Sequence, residues 1–173
     1  MPSVPIQPVE NPILLFQMQL DSNRHVIPGL NRGRLSLWEM GRAKKLIQRW
    51  VFTSSYNGKQ GVFDWKKRGG LCPPQNDMPG WKMFQVPTKL IIQPGQPVDR
   101  GFLIYESSDN KACEMNTVSG TKRSEIMIHE DKNSPGSFGC LVAPTGEYKD
   151  FEEIFVGTCE QHSTVPLGVL YSW

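Results

Sequence analysis

Short runs of alternating apolar and polar residues follow one another along much of the chain. Arg34-Leu35-Ser36-Leu37-Trp38 shows the period of two that is typical of a half-buried strand. The pattern predicts further strands at residues 13–20, 46–54, 88–92, 102–105, 126–129, 140–143 and 165–171, with a basic turn at 41–45. Residues 150–160 instead carry apolar side chains at helical spacing, which predicts a short helix capped by Asp150.

The 16 glycines and 14 prolines are scattered along the chain and favour many turns between short strands over a helical bundle. We therefore predict a mainly β fold, a largely antiparallel sandwich with one short helix. The length of 173 residues suits one domain. Residues 1–32 are predicted to form an N-terminal arm and first strand, and residues 33–173 a single globular unit. Residues 58–80 are predicted to form a long loop.

Composition and charge exclude several classes of protein. With 38% hydrophobic and 21% charged residues, the chain is predicted to be globular, not disordered. A net charge of +2 is too small to indicate a nucleic-acid partner. No run approaches the roughly 20 apolar residues that a membrane span requires. The N-terminus lacks the pattern of a signal peptide, so the protein acts where it is made, leaves by another route, or has lost a leader.

The cysteines and histidines do not form a metal-binding pattern. Cys72, Cys113, Cys140 and Cys159 are too few and too widely spaced for a disulfide framework, although one pair among the three other than Cys140 could form a bridge. Cys159-x-x-His162 resembles half of a zinc site, but no second pair of ligands stands at a suitable spacing. No metal and no cofactor are predicted, and the oligomeric state stays open.

The segment from Ile128 to Val142 carries the strongest chemical signal. The predicted strand 126–129 ends on His129, and a polar connection with a turn at Pro135-Gly136 leads to Ser137-x-Gly139-Cys140 at the start of the next strand. If the two strands lie side by side, imidazole and thiol come together as base and nucleophile. Gly139 leaves room for a carbonyl to approach the backbone amides. Ser137 or a local carbonyl would orient the imidazole, with Asp131 as a weaker candidate, although Ser137 is equally suited to closing the turn.

A histidine followed by Ser-x-Gly-Cys at the start of a strand resembles the L,D-transpeptidase (YkuD-like) catalytic domain, and most closely its compact phage-like or effector-like members. Residues 52–60, the Gly69-Gly70-Leu71-Cys72-Pro73-Pro74 segment and residues 101–105 are also similar to that family, so the resemblance covers roughly residues 33–145. It implies a β-sandwich enzyme whose cysteine acts on peptidoglycan stem peptides. It also implies a periplasmic or cell-wall location, reached by non-Sec export or phage lysis.

The resemblance implies two sets of site residues. The catalytic set is Cys140, His129, Ser137 and Gly139, and the substrate-binding set is Tyr56, Gly70, Pro73 and Phe138. Phe138 stands where the family usually has a second histidine, and Leu141-Val142-Ala143 follows where the family often has an arginine. Transpeptidation to an amine and hydrolysis by a carboxypeptidase or endopeptidase therefore both stay open. The alternative function is a non-catalytic cell-wall-binding or structural module.

Overall fold

The computed structural model describes residues 6–19, 33–53, 80–96, 98–106, 115–116, 122–123, 126–131 and 140–172. These residues are mostly strands with a single helix, which confirms the predicted mainly β fold. In chain order the strands are β1 (Pro12–Gln19), β2 (Gly33–Met40), β3 (Lys44–Phe52), β4 (Gly80–Pro87), β5 (Ile91–Ile92), β6 (Arg100–Leu103), β7 (Tyr105–Glu106), β8 (Met115–Asn116), β9 (Lys122–Arg123), β10 (Met127–Glu130), β11 (Leu141–Ala143) and β12 (Thr164–Ser172).

Two sheets enclose the core. The larger has the order β3-β2-β1-β12-β4-β7 and the smaller the order β11-β10-β6-β5, while β8 and β9 pair separately. All pairs between neighbouring strands are antiparallel except β1 with β12 and β10 with β11. Strand β1, which the sequence analysis grouped with the N-terminal arm, lies between β2 and β12 within the larger sheet.

The two sheets are joined at both sides. On one side, Thr53 and Val142 exchange two backbone hydrogen bonds of 2.8 Å, which connect the end of β3 to β11. On the other side, β6 and β7 are separated only by Ile104, so one run of chain passes from the smaller sheet to the larger. Strand β11 is thereby held between β10 and the end of β3.

The helix α1 (Thr145–Cys159) begins five residues earlier than predicted. Pro144 immediately precedes it, a position that suits proline because the first turn of a helix lacks partners for its N–H groups. Asp150 is therefore not a cap. It lies within the helix and accepts a hydrogen bond of 2.6 Å from Nε1 of Trp50. No helix among the described residues has the length and apolar character needed to cross a membrane.

Two strand predictions need correction. Strand β4 was not predicted, although Phe84 and Val86 are buried and alternate with the half-buried Gln85. The strand predicted at 88–92 is reduced to Ile91–Ile92, because the chain leaves the larger sheet after Pro87. Pro87 has no N–H to continue a ladder, and proline is typical of strand ends.

Gly101 provides a test of how closely β6 and β10 pack. A Cβ atom at this buried position would lie 2.4 Å from the Ile128 carbonyl oxygen and 3.0 Å from Cβ of His129. We expect Gly101→Ala to lower the free energy of unfolding by about 1–3 kcal/mol, measured by urea denaturation, because the backbone itself must shift.

Gly146→Ala is the matched control. Gly146 lies exposed in the first turn of α1 with no atom within 4 Å of an added Cβ, and alanine there should stabilise by about 0.4–1 kcal/mol. Equal stability of the two variants would contradict the close contact between β6 and β10.

Candidate active site

Parallel pairing of β10 with β11 brings the predicted base and nucleophile to adjacent strands. The register pairs Ile128 with Leu141 and His129 with Val142. One step back along both strands, Met127 lies beside Cys140, and the Met127 N–H points to Sγ of Cys140 at 3.4 Å. The sequence expectation that the two strands lie side by side therefore agrees with the structure.

The face of the smaller sheet that meets the helix is apolar. Phe102 packs edge-on against Phe151 and Phe155 of α1, with ring centroids 5.9 and 5.0 Å apart. Ile128 pairs with Phe102, and Leu141 pairs with Ile128, so the three side chains share this inner face. All three are completely buried.

His129 and Cys140 lie on the opposite, outer face of the same sheet. Side chains alternate along a strand, so His129 follows Ile128 onto the outer face and Cys140 precedes Leu141 there. His129 stands two residues beyond Met127, which places it diagonally across from Cys140. Diagonal neighbours on one sheet face are about 7–8 Å apart, a span that long or aromatic side chains can bridge.

Both residues are partly exposed. His129 and Cys140 are half-buried, whereas Met127 and Val142 on the same face are only 4% and 1% exposed. Leu103, which pairs with Met127 on this face, is also half-buried.

The backbone fixes the orientation and tautomer of the imidazole. Nδ1 of His129 lies 2.8 Å from the carbonyl oxygen of Glu130. A carbonyl oxygen can only accept a hydrogen bond, so Nδ1 carries the proton and donates it. In the neutral ring Nε2 then keeps its lone pair and is the atom able to take a proton. The local carbonyl considered in the sequence analysis is therefore that of Glu130.

Burial lowers the pKa of His129 below its ordinary value of 6.5. The Glu130 carbonyl and the carboxylates of Asp131 and Asp99 act in the opposite direction, but burial outweighs them. At neutral pH the imidazole is therefore mainly uncharged, which is the form that a general base needs.

The remaining predicted site residues lie outside the described residues: Ser137, Gly139, Tyr56, Gly70, Pro73 and Phe138. The structure instead adds groups that the sequence did not single out, namely the Met127 amide, the Glu130 carbonyl and Asp99. The two backbone groups carry no sequence signal. Asp99 is brought near His129 only by the pairing of β6 with β10. Among the described residues, no cluster of three or more His, Cys, Asp or Glu side chains could hold a metal ion.

Comparison of the chain with protein-family models, curated proteins and solved structures finds no match.

The lowered pKa of His129 predicts a specific acid sensitivity. Below pH 6.5 the unfolded chain binds a proton at this histidine more readily than the folded protein does, so stability is lost as the pH falls through the folded pKa. In His129→Gln this contribution disappears. We expect the variant to lose less stability than the parent protein between pH 7 and about pH 5, measured by urea denaturation.

His162→Gln serves as the control for loss of an imidazole–carbonyl contact, since Nε2 of His162 lies 2.7 Å from the Val9 carbonyl oxygen. An acid-induced loss of stability in His129→Gln as large as in the parent protein would contradict the assigned pKa direction.

Proposed function

We propose that the protein is a cysteine-dependent acyl-transfer enzyme that acts on peptidoglycan stem peptides, with Cys140 as nucleophile and His129 as base. One observation carries the proposal: the parallel register of β10 and β11 sets the partly exposed residue Cys140 and the mainly neutral imidazole of His129 on one face of the smaller sheet. A buried structural cysteine needs neither a base nor a path to solvent.

The proposed reaction begins when Nε2 of His129 takes the thiol proton of Cys140. The thiolate attacks the carbonyl carbon of an amide and forms a C–S bond, and the electron pair moves onto the oxygen. When the tetrahedral intermediate collapses, the C–N bond breaks and the amine leaves with the proton held by His129. The resulting thioester is then attacked by an amine, giving transpeptidation, or by water, giving hydrolysis.

Stabilisation of the oxyanion must contribute more to the rate of acyl transfer than activation of the thiol does. Lowering a thiol pKa from about 8.5 to about 6 raises the thiolate fraction roughly 30-fold, but lower basicity reduces nucleophilicity and leaves a factor of only about two to three. A single oxyanion donor is worth about 3–4 kcal/mol. We assign this role to the amides of Gly139 and Cys140. The Met127 N–H, 3.4 Å from Sγ, is placed to favour the thiolate.

The substrate class rests on the resemblance to L,D-transpeptidases. In that reading Ser137 supports the catalytic groups, and Tyr56, Gly70, Pro73 and Phe138 contact the stem peptide. The peptidoglycan substrate places the protein in the periplasm or cell wall when it acts.

Cys140→Ala should abolish any change in muropeptide composition that the purified protein produces, because the nucleophile is lost. Mass spectrometry of muropeptides before and after incubation measures this, and the acceptor in the products distinguishes transpeptidation from hydrolysis. Cys159→Ala is the matched control, since Cys159 is completely buried in α1. Product formation by Cys140→Ala at the parental rate would reject the assignment.

Alkylation of the native protein tests reactivity without a substrate. Iodoacetamide at about pH 7 should modify Cys140 and spare Cys159, because burial raises the pKa of the Cys159 thiol and removes its exposure. Peptide mapping identifies the modified cysteine. Failure of Cys140 to react until about pH 8.5 would instead support the alternative function, a non-catalytic cell-wall-binding or structural module.

A further inference from the structure

The carboxylates of Asp131 and Asp99 lie close enough to His129 to act on the charge of its imidazole. The register of β10 with β6 pairs His129 with Gly101. Asp131 directly follows β10 and Asp99 directly precedes β6, so continuing this register puts the two residues opposite each other on the face that carries His129. Backbone hydrogen bonds hold both residues in line with their strands. The Asp131 N–H bonds to the carbonyl of Ala143 at 2.8 Å, and the Asp99 carbonyl accepts from the N–H of Gln93 at 2.6 Å.

The imidazole lies between these carboxylates and the thiol. Along the outer face, Cys140 is level with Met127, His129 follows two residues later, and Asp131 follows two residues after that. The carboxylates are therefore nearer to the imidazole than to the sulfur. They stabilise a positive charge on the ring more than they repel a negative charge on the sulfur, because charge interactions weaken with distance.

We propose that Asp131 and Asp99 are positioning residues that stabilise the imidazolium formed when His129 takes the proton of Cys140. The step is a proton transfer from Sγ to Nε2, with no change in electron count, and its product is a thiolate–imidazolium pair. The two carboxylates shift this internal equilibrium towards the ion pair. The role rests on the proposed function, since it concerns the same base and nucleophile.

Other described charges near the sheet do not serve this role. Strand β5 carries only isoleucines, and β11 carries no charged residue, with Val142 opposite His129. Arg100 precedes Gly101 and so points to the inner face, where it pairs with both carboxylate oxygens of Glu152 on α1. The side chain of Glu130 also belongs to the inner face, since it alternates with His129.

A positive charge on the imidazole of His129 needs stabilisation by nearby carboxylates. Burial opposes a charge on His129, and the carboxylates of Asp131 and Asp99 counteract that effect by raising its pKa. Without them the ring would hold a proton less readily, and the thiolate would lose its counter-charge.

The rate at which iodoacetamide alkylates Cys140, measured from pH 5 to pH 10, tests the proposal in Asp131→Asn, Asp99→Asn and the double variant. We expect each single variant to react about three- to tenfold more slowly than the parent at pH 7, and the double variant more slowly still. Above about pH 9.5 the rates should converge, because there the thiol ionises without help from the imidazole.

Glu153→Gln is the control for loss of an exposed carboxylate, since Glu153 lies on α1 and away from the outer face. Thermal unfolding verifies that each asparagine variant is folded. A ratio of rates at pH 7 and pH 10 that stays unchanged in both single variants would overturn the proposal. If one variant does not fold, the other variant and a salt titration of the parent protein test the proposal instead. Salt screens the attraction between the carboxylates and the imidazolium, so it should lower the alkylation rate of the parent at pH 7 more than at pH 10. Equal effects of salt at the two pH values would overturn the proposal.

The proposed function and the role of the two carboxylates can be rejected independently of each other. A parent protein that gives no muropeptide product, but whose alkylation profile shifts in the aspartate variants, would reject the substrate and keep the role of the carboxylates. Normal products from the parent protein, with unchanged alkylation profiles in both variants, would overturn only the role of Asp131 and Asp99.

Discussion

The hydrogen-bonded pairing of β10 with β11 determines where Cys140 lies relative to His129. A slip of one residue in this register would turn the thiol or the imidazole into the core and bring an apolar side chain out. Ile128 and Leu141 oppose such a slip, because burying side chains of this kind stabilises by about 1.5–3 kcal/mol each. The bridge between Thr53 and Val142 holds the other edge of β11 in place. Packing of side chains on the inner face thus fixes the positions of His129 and Cys140 on the outer face.

The smaller sheet separates two kinds of interaction. On its inner side, Phe102 meets the aromatic rings of α1, and this contact gives the sheet a rigid support. On its outer side, Gly101 allows β6 to approach β10 closely enough that the carbonyl of Ile128 and Cβ of His129 lie against its backbone. Reactive groups on strands supported in this way are held more precisely than groups on loops.

Local patterns in the sequence were sufficient for the mainly β fold class and for the two strands next to His129 and Cys140. Alternation in β2 predicted a strand, and apolar runs ending at His129 and starting at Cys140 predicted that the two residues would stand at strand ends. The start of α1 was not predicted, since Pro144 and Gly146 resemble a loop although Tyr148 extends the buried face of the helix. The proximity of Asp99 to His129 depends on pairing between strands remote in sequence, and the contact of Glu130 uses its backbone. Neither leaves a local pattern.

The central position of β12 in the larger sheet has a consequence for folding kinetics. Strand β12 pairs with β1 on one side and β4 on the other, so Leu14 meets Leu167 across nearly the full described length of the chain. Contacts between such remote residues require closure of large loops before they stabilise anything, and proteins rich in them fold slowly. The sheet that anchors β11 through Thr53 is complete only after β12 has entered it. Completion of the sheet edge that holds β11 is therefore expected to be a late event on the folding pathway.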